Sequence, residues 1–551
     1  MEAGAERTIG NAPPTHMVAR YGLVVLLAGM AVAGCDGSAP KPPDEPSPLP
    51  STVSRFEVDV DPAGTSPLAA EVTLETDVPV TVEVVVEGKD GPETEIRHAF
   101  DDLAVAHRVP IFGLYANATT AVTLVLRDES GAEVGRIARD VEAGRMPAGL
   151  PTVTITASTP GATKPGLTFV SSFTGGTSAA QAPFAYDAAG VVRWTLDYEG
   201  RPPLANLFYD NGIDRLANGN LYFGDGTTDR IYEVDLFGRI VDQWALPGYG
   251  FHHHVLEKPN GNFLVTVNRD GAATVEDVVI EVDRASGQIV REWDLRQSLD
   301  PYRRAWQTDL ADLNVDWFHA NALVYDESDD TILVSGRTQG VVKLTADNEV
   351  VWILAPHKDW GSAGDGTDLR AKLLQPLDAN RQPITDPAVL DGTRRHAGFD
   401  WAWYQHAPEI LGSGSILLFD NGESRGTGGL AGGTGGRGLY SRAVIYRIDE
   451  GAMTIQQVWE YGEDRGAETY SRIVSDVDYH AEERVVVFAP GAIGREEANP
   501  YGRVVEVDRG TGTVLAEAVI RGPAPRFGIT FHRVERMPLY PAGLRSAAPA
   551  L

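Results

Sequence analysis

Cysteine is nearly missing: the 551 residues hold one, Cys35. A single thiol excludes an internal disulfide framework and any zinc site built on cysteines. Basic charge is also short, with 47 Lys and Arg against 77 Asp and Glu and a formal net charge of −30. A nucleic-acid partner requires a basic face, so that class is excluded. Histidines number only twelve, so where they fall is informative. The apolar run at residues 21–33 (YGLVVLLAGMAVA) is too short to span a bilayer, which takes about 20 residues, and has the length of a signal-peptide core.

That run ends in Val32-Ala33-Gly34-Cys35, the pattern of a lipobox, in which the cysteine takes the lipid and becomes the mature N-terminus. The only cysteine thus stands where lipidation requires it. The expectation is a lipoprotein signal over 1–35, export, and an acyl anchor in a bilayer facing the periplasm or cell surface. Residues 36–52 (from DGSAPKPPDEPSP onward) are proline-rich and read as an extended tether.

What is present in quantity is period-two alternation. Residues 53–145 carry short strands such as AEVTLET and VTVEVVVEG between Gly, Pro and Asp turns, which predicts a small β-sandwich. From about residue 150 one phrase recurs: a strand, a polar turn with glycine, and a strand ending in Trp or an aliphatic. Its copies are YDAAGVVRW, VDLFGRIVDQW, VDRASGQIVREW, LTADNEVVW, IDEGAMTIQQVW and VDRGTGTVL. Hairpin phrases such as LANGNLYF, KPNGNFLVTV and LGSGSILLF alternate with it, and Asn-Gly between apolar runs is a strong hairpin signal. Four strands per unit at a period of roughly 45 residues is the pattern of a propeller. The fold expected is all-β: a six-bladed β-propeller over 150–540 after the sandwich, with 151–159 completing the last blade and a tail at 541–551. Two insertions interrupt the period, at 356–395 and at 422–438. The second holds nine glycines and reads as a surface loop or a lid. It lacks the Gly-Lys-Ser/Thr ending of a phosphate-binding loop.

Three histidines precede equivalent hairpins: His253 before LEKPNGNFLV, His319 before ALVYDESDDTILV, and His406 before EILGSGSILLF. Equivalent positions in successive blades surround one axis, so the three imidazoles should meet at one mouth. Arg337 closes the hairpin that His319 opens and returns to the same rim. Asn421 holds the matching place one blade on. Trp317, Phe318, Trp401, Trp403 and Tyr404 are candidates for the walls of an aromatic slot. In the run 252–254, adjacent side chains of an extended strand point oppositely, so the three cannot share one ion. One histidine from each of three blades holding a metal, as in a hydrolase or lyase, stays open. So does a propeller that binds without catalysis.

Several stretches resemble the arylsulfotransferase signature: 316–344 (DWFHANALVYDESDDTILVSGRTQGVVKL), 252–265 (HHHVLEKPNGNFLV), 403–411 (WYQHAPEIL), 419–426 (FDNGESRG) and 440–450 (YSRAVIYRIDE). The resemblance implies a six-bladed propeller with an N-terminal sandwich that moves a sulfuryl group from an aryl sulfate to a phenol without the nucleotide sulfate donor. It implies no cofactor, and family members can be homodimers. Carried onto this chain, it makes His406 the nucleophile and sets His319 and Arg337 on the sulfuryl oxygens. It gives proton transfer to His253, with His252 as the fallback, and places Asn321 in the pocket. The family's His-His-Asp reads His252-His253-His254 here, which removes an acid that orients a neighbour.

Overall fold

The computed structural model describes residues 48–547 apart from 148, 175–179, 307, 424, 426–439, 495–498 and 524–527. Cys35, the signal segment, most of the tether and nearly all of the glycine-rich insertion lie outside the described residues. Among the described residues no helix is long and apolar enough to cross a membrane.

The first folded part is a five-stranded antiparallel sheet of Val53–Val60, Ala69–Val86, Ile96–Phe112, Thr119–Arg127 and Glu133–Glu142. Ala69–Val86 changes partners along its length. Its first half pairs with Val53–Val60 and its second with Thr119–Arg127, while Ile96–Phe112 follows its other edge. The register slips between Glu75 and Val82, around Pro79, which has no N–H to give the ladder. Val80, Val82, Val84 and Val86 are all buried while the residues between them are not, the alternation read from the sequence.

Among the described residues six further sheets follow, each built on an antiparallel meander of four strands, with a fifth strand added to two of them. Their first strands are Asp214–Arg215, Tyr249–Glu257, Ala320–Asp326, His406–Gly412, Asp476–His480 and Ile529–Met537. Second strands such as Phe263–Arg269 and Ser415–Asp420 are almost wholly buried and apolar on both faces, because neighbouring sheets cover each side. The fourth strand of the first of these sheets, Ile240–Ala245, is exposed except at Trp244, whereas Val192–Thr195 and most of Val350–Leu354 are buried. The first strands meet in succession. The Leu323 amide donates to His254 Nδ1 (2.9 Å), Asn321 Nδ2 to the Gln405 carbonyl (2.9 Å), and Asn421 Nδ2 to the Ser471 carbonyl (2.8 Å). The Val534 amide donates to Asp476 Oδ2 (2.7 Å), and Arg533 to Asp214 Oδ2 (2.7 Å), which returns the sixth sheet to the first.

The recurring tryptophan of the repeated phrase fastens one sheet to the next. Trp194, Trp244 and Trp293 each donate Nε1–H to a carbonyl in the following sheet's outer turn, at Leu236, Arg284 and Thr345 (2.8–2.9 Å). Trp352 does the same to the Glu450 carboxylate (2.8 Å). In the turns themselves, Asp187 and Asp235 accept from amides two and four residues on, the local bond that makes Asp a turn former.

The chain ends are used for closure. Thr152–Ser158 adds a fifth strand to the sheet that begins at Asp476, and the sixth sheet joins C-terminal Ile529–Met537 to N-terminal Leu167–Thr174. The insertion at 356–395 contributes Gln375–Leu377, a parallel strand on an outer edge. The tail expected at 541–551 is not free up to residue 547. Ser546 accepts from the Arg108 amide (2.6 Å) and donates to Asp102, binding it to the N-terminal sheet. Arg193, fully buried, joins the N-terminal sheet to the rest through the Gly113 and Thr94 carbonyls, the Tyr115 hydroxyl and Asp187.

Candidate active site

The histidines sit where first strands enter the sheets, and the backbone there is irregular. His253, His319, Tyr404 and Ala407 have φ of 52°, 59°, 56° and 47°. Register shifts fall at Phe251/Val255, Ala320/Ala322, His406/Glu409 and Phe531/Arg533. Such bulges redirect side chains out of the pleat, and a non-glycine residue held at positive φ costs about 1–3 kcal/mol. Their repetition around the axis turns imidazoles from separate sheets toward one another.

His406 is buried. Its Nδ1 lies 3.0 Å from the Tyr404 carbonyl and 2.8 Å from Asn421 Oδ1. The amide orientation of Asn421 is set by its Nδ2, which donates to the Ser471 and Val474 carbonyls. Both partners of Nδ1 are acceptors, so the proton of the neutral ring is on Nδ1 and the lone pair on Nε2. Burial, His532 and Arg337 hold the ring well below the ordinary imidazole pKa. Asn421, expected to line the pocket, stands behind the ring and orients it.

His253 and His319 face each other with Nε2 atoms 3.1 Å apart. His253 Nδ1 makes an ion-pair contact of 2.9 Å with Asp210 Oδ2 rather than a straight hydrogen bond, and its amide donates to the same oxygen. His319 Nδ1 meets Asp316 Oδ2 at 2.8 Å and also Glu276 Oε2. Burial opposes charge on His253, but Asp210 and Glu276 outweigh it and push its pKa up to about 10. Burial likewise opposes charge on Asp210 and Glu276, yet the adjoining histidines hold both well below the usual carboxylate range. Arg337 donates to the Leu310 carbonyl (3.1 Å) and lies 3.5 Å from Asp316.

The sequence reading missed His532, Asp210, Glu276 and Asp316. His532 links the two groups, its ring 5.6 Å from His253 and 6.0 Å from His406, and burial lowers it to about 3. A signal for it existed: Phe-His occurs at 251–252, 318–319 and 531–532, each pair at a first strand. Asp316 was inside a quoted motif, whereas Asp210 and Glu276 have no sequence pattern. His252 is buried and neutral, lowered by burial to about 4, with Glu276 beside it. His254 is pinned between the Leu323 amide and Arg533. Asn321, expected in the pocket, uses its amide to hold the Gln405 carbonyl, one residue before His406. The five aromatics expected as a slot wall are core residues, none more than 3% exposed. Phe208, two residues before Asp210, is 44% exposed instead.

Among the described residues three sets of ligand-type atoms fall within 4.8 Å: Asp210, His253 and His532; His252, His253 and Glu276; Glu276, Asp316 and His319. His253 and His319 already direct both ring nitrogens at carboxylates or each other, which uses the lone pairs a metal would need. His406 belongs to none of the three sets. A cavity of about 460 Å³ runs below the cluster between first strands, lined by His532, Arg533, Glu409, Asp476 and Glu535. The larger cavity, about 580 Å³, lies between the N-terminal sheet and the propeller and touches none of these histidines except His98 of the sheet itself.

A β-propeller with an unprotonated histidine, a protonated one and an arginine gathered at its axis has the makings of a transferase for anionic groups. Comparison with known proteins specifies which. The model of the arylsulfotransferase family matches residues 152–526, and that of the arylsulfotransferase Ig-like domain matches 57–139. The chain belongs to the arylsulfotransferase family, and it is a sulfotransferase enzyme acting on aryl sulfates. It is 31% identical to arylsulfate sulfotransferase AssT of Escherichia coli O6:H1 and 28% identical to that of Lelliottia amnigena, in each case over 92% of this chain and 95% of the relative. Among solved structures, a streptogramin B lyase aligns at 12% identity and a TM-score of 0.30, over 68% of this chain and 95% of its own.

Proposed function

We propose that the sulfuryl group passes through His406 in two displacements. In the first, Nε2 attacks sulfur, the S–N bond forms, and the S–O bond to the aryl group breaks with its electrons on oxygen. In the second, a phenol oxygen takes the sulfuryl group and Nε2 is restored. One pocket then serves donor and acceptor in turn. The observation that carries this reading is the tautomer of His406: Nδ1–H faces two acceptors and the lone pair is left on Nε2. Burial keeps that lone pair unprotonated at neutral pH.

Sulfuryl transfer places charge on peripheral oxygens in a loose, in-line transition state, as phosphoryl transfer does. Arg337 supplies the charge-assisted donor for those oxygens, and His253, with His319 at its Nε2, exchanges a proton with the phenol oxygen. In the same reading the six meanders are the six blades of one ring, and the enzyme is exported and lipid-anchored through Cys35. Mixing the enzyme with para-nitrophenyl sulfate and no acceptor should release about one nitrophenol per protein in a burst, the kinetic mark of a covalent intermediate. His406→Ala should abolish the burst. Burst kinetics that persist in that variant would overturn the assignment.

A further inference from the structure

We infer that His253 and His319 hold a single proton between them, that Asp210, Glu276 and Asp316 are the positioning residues that keep it there, and that this proton is the one delivered to the departing phenol oxygen. The inference rests on the transfer reading above and goes beyond it by naming where the proton is stored and what holds it.

The first ground is the Nε2-to-Nε2 contact of 3.1 Å. Two lone pairs at that distance repel, and two N–H groups collide, so one hydrogen lies between them. The second ground is what the other nitrogens face. His253 Nδ1 is directed at Asp210 and His319 Nδ1 at Asp316 and Glu276. A carboxylate beside each Nδ1 favours positive charge on the ring, so each Nδ1 keeps its own hydrogen even where the contact is an ion pair and not a straight hydrogen bond. The two rings together therefore bear three protons on four nitrogens and one positive charge. The third ground is the balance of charge. Three carboxylates in a pocket for an anionic ester make no sense as substrate contacts, but they make sense as counter-charge that prevents loss of the shared proton. The remaining groups facing the pair add no second proton. His252 and His532 are kept neutral by burial, and Arg337 lies on the Asp316 side. The raised pKa of His253 agrees with this arrangement.

In the first displacement the shared proton moves from the pair to the aryl oxygen as the S–O bond breaks, giving a free phenol and a neutral pair whose facing lone pairs repel and so draw a proton back in the second. In the second, the incoming phenol returns its proton to the pair as its oxygen bonds to sulfur. No proton is gained or lost over the cycle, and no other reactant is needed. The carboxylates act by holding the rings and their charge, without touching substrate.

The test is a series of donors whose phenols range from acidic to weakly acidic, assayed on the native enzyme, Asp210→Asn and Glu276→Gln. A nitrophenolate leaves without help, whereas phenolate requires the proton. The variants should therefore lose about 10²–10⁴-fold on phenyl sulfate and much less on para-nitrophenyl sulfate. In the native enzyme kcat/KM should fall as pH rises through about 10, and in both variants that limb should move to lower pH. An equal loss on every donor with the limb unmoved would reduce these carboxylates to a structural role and overturn the inference. If Asp210→Asn does not fold, Glu276→Gln carries the comparison. A native enzyme with no burst of nitrophenol would instead defeat the two-displacement reading, and the two failures are thereby told apart.

Discussion

An imidazole attacks only through a nitrogen with a free lone pair, so the hydrogen on His406 Nδ1 is as important as the reacting Nε2. Asn421 Oδ1 accepts it and, in the proposed first displacement, stays in place as the ring gains positive charge. A hydrogen bond to a charged group contributes about 1.5–3 kcal/mol. Asn421→Ala should therefore slow the nitrophenol burst by roughly 10- to 150-fold while the Tyr404 carbonyl preserves some orientation. Stopped-flow measurement of the burst rate checks this, and a change confined to KM would contradict it. The pH dependence on the acid side follows from the lowered pKa of His406. A solvent-exposed imidazole loses its lone pair as pH falls through about 6.5; the burst rate here should hold below that point. At this scale the sequence exposed His253, His319, Arg337 and His406 because equivalent places in a repeat can be compared. Asp210 lies in the segment before Asp214–Arg215 and Glu276 in the turn between Phe263–Arg269 and Val278–Val282, and nothing in their neighbours marks them.

At the level of strands, catalytic geometry depends on bulges, and these have close-packed supports. Gly336 ends the strand Thr331–Gly336, immediately before Arg337, and the Phe318 ring lies against it. A Cβ there would come within 2.5–2.7 Å of that ring, and Phe318 adjoins His319. Gly224 and Gly502 receive Phe251 and Phe531 in the same manner, so each Phe-His pair is seated on a glycine. Gly336→Ala should displace both His319 and Arg337. The expected loss in kcat/KM is about 10²-fold, the order found for small misplacements, with about 1–3 kcal/mol of overpacking cost. Kinetics alongside a denaturant melt will separate the two effects, and full activity in a destabilised protein would refute the proposed seating. The hairpins themselves were legible from Asn-Gly turns and apolar runs. The bulges were not, because an extra residue in a strand leaves the alternation of its neighbours intact. The irregularity at 252–254 was accordingly missed: the register shifts between Phe251 and Val255.

At the scale of the whole molecule, four of the tryptophans in the repeated phrase join one meander to the next. The last sheet takes its first strand from the far end of the chain, so Ile529–Met537 lacks the hairpin that identified the other sites, and His532 was overlooked. The axial cavity imposes a cost of its own. Burial, with Asp478 and Asp476 nearby, raises Glu409 to about 9, and burial raises Asp476 to about 7. A carboxyl raised in the fold keeps a proton that the unfolded chain has released above about pH 4.3. Stability therefore falls as pH rises from there through the folded value. Glu409→Gln removes that dependence and should raise the melting temperature near pH 9 while leaving it unchanged near pH 4. Thermal melts at both conditions decide it, and equal shifts at the two would contradict the assignment.

The central claim is that sulfur becomes bonded to one particular nitrogen. Quenching the enzyme in alkali during turnover of an aryl sulfate, followed by peptide mapping under alkaline conditions, reads that bond directly. The account predicts a single sulfated peptide, modified at His406, that disappears when a phenol acceptor is added before the quench. Sulfation at another residue, or an active enzyme that carries none at any time in the cycle, would contradict it.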